Sequence, residues 1–377
     1  MYRVPSMKEI EAVPWNGYKV VSTFSGGGGS CLGYRMAGYK VVWANEFIPA
    51  AQDTYRANHP GVFLNCRDIR QVTAGDIVQE TGIPIGGIDL FDGSPPCAAF
   101  STAGKRDKYW GKVKNYSDTT QRVDDLFFEY ARLVKELQPK VFVAENVSGL
   151  IKGSAKGYFK IFMRTLKDCG YEVKVRLLNA KYLGVPQNRQ RVIFVGVRND
   201  LVEKFGVHPA HPKPLSRVIT LGEALQGVVN SAEELDYSMI STKYASGRVL
   251  RKLPKNPKKP ITGASVMNGS YFNLRRESMY CPSGTICQMT GAKGLAGNCH
   301  PLYDRKFTIS ELKRITSVPD DFTLTGNEAQ QWERLGRMVP PVMMSHIAKT
   351  IEKEILNHVP RKYSVQGAEQ AVQNSDG

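Results

Sequence analysis

A β-rich run, Tyr18-Lys-Val-Val-Ser-Thr-Phe24, leads straight into Ser25-Gly-Gly-Gly-Gly-Ser30. A short helical stretch follows, Cys31 to Ala37, and then a second β-rich run, Lys40-Val-Val-Trp-Ala-Asn-Glu46. Strand, glycine turn, helix, strand is the opening of a doubly wound α/β fold that binds a nucleotide. Glycines allow close approach of the backbone to a ligand, and a helix N-terminus favours electronegative groups. Glu46 ends the second strand about twenty residues after Gly26, where such folds place a carboxylate on ribose hydroxyls. Four consecutive glycines also suit a flexible linker, although the strands on both sides favour a ligand turn. The spacing is not a strict G-x-G-x-x-G, so the pattern alone gives a nucleoside-bearing cofactor without its identity.

The alternation continues along the chain. Ala50 to Asn58 reads as helix, Val62 to Ile69 as a strand closing on Asp68, and Thr73 to Thr81 as a weak helix. Next comes Asp89-Leu-Phe-Asp-Gly-Ser-Pro-Pro-Cys97-Ala-Ala-Phe-Ser101, a buried strand stopped by glycine and two prolines. Ligands and chemistry collect at the carboxyl ends of strands in an open α/β sheet. The prolines stiffen the turn and present Cys97, which is either a small core residue or a nucleophile. Gly104 to Lys114 is a basic, aromatic-containing loop long enough to act as a lid. Helical periodicity over Asp124 to Leu137 ends at Pro139, and Val141-Phe-Val-Ala-Glu-Asn-Val147 is another buried strand. Gly157 to Cys169 is helical, and Tyr171 to Leu178 and Arg191 to Val197 are strands. If the Cys97 and Glu145 strands run parallel, thiol and carboxyl meet at one sheet edge, a pairing suited to attack on an aromatic heterocycle. Arg189 and Arg191, two residues apart, would project from one face.

Beyond Arg198 the composition changes. Between Tyr237 and Arg276 there is no Asp or Glu but nine Lys and Arg, with Tyr244, Tyr271 and Phe272 interleaved. With a formal net charge of +16 over the 377 residues, this one-sided run predicts a polyanionic partner, nucleic acid in particular. No apolar run approaches the ~20 residues of a bilayer span, so no membrane role is expected. Met1 to Glu11 has no apolar signal region and the seven cysteines are odd in number and scattered, which predicts a reducing, cytoplasmic setting. The length suits two domains: residues 1–205 with 325–377 as the sheet domain, and 206–324 as a smaller irregular one. Helical patterning returns over Pro340 to Leu356, and the tail from Gln366 is expected to be disordered. Cys281, Cys287, Cys299 and His300 lack the C-x₂-C spacing of a zinc site, so no metal is expected.

Four segments then carry a family resemblance. Phe24-Ser-Gly-Gly-Gly-Gly, Pro95-Pro-Cys-Ala-Ala-Phe-Ser101, Glu145-Asn-Val147 and Gln187-Asn-Arg-Gln-Arg191 stand in the order found in cytosine-C5 DNA methyltransferases of bacterial or phage type. Arg305 to Ile315 and Gly336-Arg-Met-Val-Pro-Pro341 resemble that family's closing motifs. The resemblance implies a Rossmann-like S-adenosylmethionine domain and a variable target-recognition domain. It implies a cofactor pocket of Phe24, Ser25, Gly26, Gly28, Gly29, Glu46, Phe47, Asp68, Ile69, Pro96 and Leu126. Phe24 would stack on adenine, Glu46 would hold the ribose, and Asp68 with Ile69 would meet the adenine edge. Cys97 would add to cytosine C6, Glu145 would bond N3 and transfer a proton, and Arg191 would hold the O2 side. Arg189, Asn146 and Gln187 would support them. Ser101, Lys105, Arg106, Lys243, Arg248, Arg251, Lys252, Arg275 and Arg276 would contact DNA.

Three positions depart from the family's pattern: Ala98 follows the cysteine in place of glutamine, Ser22 stands where an acidic residue is common, and Arg337 replaces an asparagine beside the cofactor. The implied partner is double-stranded DNA, acted on by a monomeric enzyme. A cognate restriction endonuclease acting on the same site, and a solitary or phage-borne role, both stay open. Cytosine methylation of RNA, a catalytically silent DNA-binding regulator and a nicotinamide-dependent oxidoreductase are the alternatives.

Overall fold

The computed structural model describes residues 2–96, 113–115, 120–122, 125–152, 156–269, 271–288 and 297–361. Cys97, Ser101, Lys105 and Arg106, the body of the expected lid and the expected disordered tail lie outside the described residues.

A short helix α1 (Met7–Glu11) opens the chain with a Ser6–Glu9 capping box. The large sheet is then laid down as β1 (Lys19–Thr23), α2 (Gly29–Met36), β2 (Lys40–Asn45), α3 (Pro49–Asn58), β3 (Phe63–Asn65), α4 (Ala74–Thr81) and β4 (Leu90–Gly93). A small antiparallel hairpin follows, β5 (Val113–Asn115) and β6 (Thr120–Arg122), and then α5 (Leu126–Leu137), β7 (Val141–Val147), α6 (Lys156–Asp168), β8 (Tyr171–Asn179) and β9 (Gln190–Arg198). After α7 (Asn199–Phe205) come α8 (Leu221–Leu225), α9 (Ala232–Ser238), α10 (Ala245–Lys252), the two-residue strands β10 (Ile261–Thr262), β11 (Arg275–Arg276) and β12 (Asn298–Cys299), and α11 (Ile309–Ile315), α12 (Glu328–Arg337) and α13 (Pro341–Glu354).

The chain forms two compact units. The larger comprises Val13–Leu178, Gln190–Lys213 and Met344–Gly377, and the smaller Met1–Ala12, Asn179–Arg189 and Pro214–Met343. In the larger, seven strands are ordered β3-β2-β1-β4-β7-β9-β8. The pairs β1–β2, β2–β3, β1–β4 and β4–β7 are parallel, while β7–β9 is antiparallel. Strand order reverses between β1 and β4, so their carboxyl ends open a crevice at the switch point. Both faces of the sheet are covered, so its central strands read as unbroken apolar runs: Val141 to Ala144 are at most 1% exposed. Phe127 of α5 stacks on Phe162 of α6 at 3.6 Å between ring centroids, beneath Phe194 of β9. The C-terminal segment returns to the N-terminal strand region: Tyr39 donates to the Ala348 carbonyl (3.0 Å) and Tyr18 to Asn357 (2.9 Å).

The third strand is shorter than its sequence suggests. It stops at Asn65 because the chain turns there, with Arg67 N donating to Asn65 Oδ1. Asp68 then caps a 3-10 turn, Ile69–Gln71, accepting from Arg70 N.

In the smaller unit the basic, proline-rich stretch folds around a modest core of Ile240, Val249, Leu250, Leu253, Leu274 and Cys299. Its helices are short and rely on side-chain caps: Thr220 with Glu223, Ser231 with Glu234, Thr308 with Glu311 and Asn327 with Gln330 form capping boxes. Such caps each contribute about 1 kcal/mol, which matters where helices of five to ten residues cannot stand alone.

Candidate active site

At the switch point the glycine turn is held from two directions. Glu46, 5% exposed at the end of β2, accepts from Gly26 N through Oε2 and from Ile48 N through Oε1, both at 2.7 Å. Each carboxylate oxygen has a second lone pair, so the group can still accept from hydroxyls. Phe24 adopts a left-handed φ of 53°, uncommon for a residue with a side chain, and packs half-buried against the sheet core. Backbone held in that region clusters at ligand clamps. Gly26 faces open space: a Cβ there would meet no atom within 4 Å. Gly28, at φ +90°, is the opposite case, because a Cβ would lie 2.1 Å from His59 Nε2. His59 is buried against Tyr55, and burial together with the Arg35 charge lowers its pKa to about 3, so the imidazole is neutral.

Other expected pocket residues are placed as follows. Ser25 is buried and Phe47 and Pro96 are half-buried. Asp68 is held by Arg70 (Nη1 to Oδ2, 2.9 Å), which reaches on to Asp125. Ile69 and Leu126 spend their side chains in the core, and the Ile69 carbonyl accepts from Arg132.

The open space before Gly26, the aromatic Phe24 and the acceptor Glu46 fit a group with an aromatic base and ribose hydroxyls.

The neighbouring strand ends supply the reactive side. β4 and β7 run parallel with Gly93 opposite Ala144. Glu145 follows on β7, 8% exposed, and its Oε1 lies 2.6 Å from Arg191 Nε. Glu145 and Arg191 are diagonal neighbours across the antiparallel pair, since Arg191 registers with Val147. Two bonds fix the turn that leads to Cys97. Ser94 Oγ donates to the Phe24 carbonyl (3.0 Å), and Asn146 Nδ2 donates to the Pro95 carbonyl (3.2 Å). The described chain thus delivers Pro96 to the crevice beside Glu145.

Arg189 departs from expectation. It precedes β9, belongs to the smaller unit and is 1% exposed. Its guanidinium donates to the carbonyls of Ile286 (3.0 Å) and Gly336 (2.9 Å). It therefore does not share a face with Arg191: its guanidinium bonds backbone carbonyls, whereas that of Arg191 meets Glu145. Gln187, fully buried, does similar work, donating to the Ile315 carbonyl and accepting from Ile286 N, both at 3.4 Å. Arg337 is drawn to Glu333 (2.6 Å), one helical turn back.

The expected DNA-contact residues also divide. Lys243, Arg248, Arg251 and Lys252 are exposed on and before α10. Arg275 is partly exposed and lies 2.9 Å from the buried Glu277, whose carboxyl is raised to about 7 by burial, against the lowering charge of Arg275. Arg276 is fully buried, bonding Asp304 and the carbonyls of Leu250, His300 and Tyr303. It cannot reach a phosphate, because the guanidinium is spent inside the unit. Phe272 is 68% exposed nearby.

Sequence reasoning missed Asp92, which is buried in the middle of an apolar strand. The signal was present: an aspartate between Phe91 and Gly93 interrupts a run that otherwise reads as core. Of the remaining cysteines, Cys31 and Cys169 are buried, while Cys66 is half-buried and accepts from Arg56. Among the described residues no three His, Cys, Asp or Glu side chains converge as a metal ion would require, and no helix is long and apolar enough to cross a membrane.

Comparison with known proteins agrees with this geometry. The family model of C-5 cytosine-specific DNA methylases matches residues 18–353. Type II methyltransferase M.PspPI of Psychrobacter sp. is 31% identical over 373 residues, covering 96% of this chain and 85% of the relative. M.NgoFVII of Neisseria gonorrhoeae is 32% identical over 350 residues, covering 88% and 86%. Among solved structures, the Dnmt2 methyltransferase of S. pombe shares the fold with a TM-score of 0.60 at 18% identity, covering 89% of this chain and 98% of that one. A variant of Spodoptera frugiperda DNMT2 gives 0.63 at 18%, covering 89% and 99%. The chain belongs to the C-5 cytosine-specific DNA methylase family and is a DNA cytosine-5 methyltransferase.

Proposed function

We propose that this enzyme transfers a methyl group from S-adenosylmethionine to C5 of a cytosine flipped out of a specific duplex DNA sequence, through a covalent bond between Cys97 and cytosine C6. The larger unit would hold cofactor and chemistry, and the smaller would read the target, the whole working as a monomer in a reducing cytoplasm. The Type II names of the relatives support a place beside a restriction endonuclease that acts on the same sequence.

One observation carries the reading. The Glu145–Arg191 pair stands at the end of β7, next to the bonded Ser94–Pro96 turn that leads into Cys97. Cytosine C5 is a poor nucleophile. Addition of the Cys97 thiolate across C5–C6, with a proton passed from Glu145 to N3, converts the ring to an enamine whose C5 carries the electron pair. S-adenosylmethionine, when bound, supplies an electrophilic methyl on a sulfonium. A base then takes the C5 proton, the C5–C6 double bond re-forms with expulsion of the Cys97 thiolate, and the N3 proton returns to Glu145. Arg191 holds Glu145 in place and offers donors to the base O2. Phe24 and Glu46 would take adenine and ribose, and Ser25 and the glycines would let the backbone approach. The target atom is inaccessible in a duplex, so extrusion costs roughly a few kcal/mol. Phosphate contacts from Lys243, Arg248, Arg251 and Lys252, with Ser101, Lys105 and Arg106, would offset it.

Cys97→Ser is expected to abolish methyl transfer to duplex DNA while S-adenosylmethionine still binds. Normal transfer by that variant refutes the covalent route. The same assay with structured RNA separates the two nucleic-acid substrates, and bisulfite sequencing of the methylated duplex reads out base, strand and context.

A further inference from the structure

Asp92 lies in the core of the larger unit, beneath the glycine turn. It is 2% exposed, and register places it directly opposite Ser22 on β1. Both carboxylate oxygens are in use. Tyr34 of α2 donates to Oδ1 at 2.9 Å, and Ser22 Oγ donates to Oδ2 at 3.0 Å. The chain of bonds continues upward, for Ser25 Oγ donates to Ser22 Oγ (3.1 Å) and to the Ser22 carbonyl (3.3 Å). Ser25 immediately precedes Gly26, whose amide is tied from the other side to Glu46. One carboxylate therefore links the end of β1, the first residue of the turn and the helix that follows it. That helix starts at Gly28 with no side-chain cap of its own.

A buried carboxylate is costly to desolvate and is retained where it fixes geometry. Its placement has a counterpart in the sequence. The family resemblance implies an acidic residue two positions before Phe24, where this chain has Ser22. Asp92 occupies the facing position on the adjacent strand, within hydrogen-bond distance of that serine. We infer that Asp92 is the positioning residue of the cofactor turn, a carboxylate supplied from β4 in place of one on β1. This rests on the reading of the turn as the S-adenosylmethionine site.

The test is a charge swap read by calorimetric binding of S-adenosylmethionine to the full chain without DNA. Asp92→Ser is expected to weaken binding by about tenfold or more, since it removes acceptors from two buried donors. Ser22→Asp alone sets two carboxylates face to face and weakens binding as well. The double variant, Ser22→Asp with Asp92→Ser, restores affinity to within about threefold of the unaltered protein, the non-additivity expected of directly coupled sites. In turnover, the single variants raise KM for the methyl donor and leave KM for DNA unchanged. A loss below about threefold in folded Asp92→Ser, or a double variant no better than the weaker single one, overturns the assignment. If Asp92→Ser does not fold, Asp92→Asn, which keeps an acceptor for Tyr34, is compared with Asp92→Leu. Asn is expected to stay within about threefold and Leu to lose about tenfold, and equal affinities for the two overturn the assignment. An unaltered protein that binds no S-adenosylmethionine refutes the cofactor reading itself, and this assignment with it.

Discussion

The burial of Asp92 makes stability depend on pH in a way that one substitution can isolate. Burial pushes its carboxyl up to about 7 from 3.8; the Tyr34 and Ser22 hydrogen bonds oppose that rise and the Glu145 charge adds to it. The folded protein therefore holds this proton more tightly than the unfolded chain does. For a group raised in this direction, the stabilisation is fully present below the unfolded pKa and is lost as pH rises through the folded one. With 3.8 and about 7 as the two limits, the contribution is on the order of 3 kcal/mol at pH 5 and is lost by pH 8. The surrounding thiol and phenols do not titrate in that window. Burial raises Cys31 to about 11, and it holds Tyr34, Tyr55 and Tyr130 well above the ordinary tyrosine range. Asp92→Asn cannot titrate, so the stability difference between the two proteins should change by roughly 3 kcal/mol between pH 5 and pH 8, in favour of Asn at the higher pH. Urea unfolding at both pH values, without cofactor, measures that difference. Parallel pH profiles for the two proteins would refute the reasoning.

Other outcomes follow from contacts already described. Gly28→Ala introduces a Cβ 2.1 Å from His59 Nε2 at a φ of +90°, and is expected to destabilise the protein by about 2–5 kcal/mol from strain and overpacking together. Repeating it in a His59→Ala background should remove the overpacking part, and a loss below about 0.5 kcal/mol in urea unfolding contradicts the contact. Arg276→Ala is expected to cost about 3–5 kcal/mol of stability, because the carbonyls of Leu250, His300 and Tyr303 would lose a fully buried donor along with the bond to Asp304. Arg251→Ala, by contrast, should reduce the slope of log affinity for DNA against log salt by about one with little change in unfolding. A salt-slope change for Arg276→Ala in a protein of unaltered stability would reverse that division.

Much of the larger unit was legible in the chain itself. Hydrophobic period, glycine and proline are local signals, so β1, α2, β2, β4, α5 and β7 fall within a residue or two of where their runs begin and end. The chain's own order of motifs also pointed to the family, since a glycine turn, a Pro-Pro-Cys turn and a Glu-Asn strand end each read over only a few residues. Four assignments needed the third dimension. Arg189 reads in sequence as a neighbour of Arg191 on one face and Arg276 as a DNA contact, and burial among backbone carbonyls turns both into internal braces. Arg191, two residues from Arg189, instead meets Glu145 because β9 runs antiparallel to β7. Asp92 reaches Ser22 only because β4 lies beside β1, although seventy residues separate them. Period and turn chemistry are written residue by residue, whereas strand order and burial arise from contacts between distant segments. Sequence alone therefore determined the strands, the turns and the chemical vocabulary of the site, and tertiary structure decided which charges face solvent and which carboxylate stands under the glycine turn.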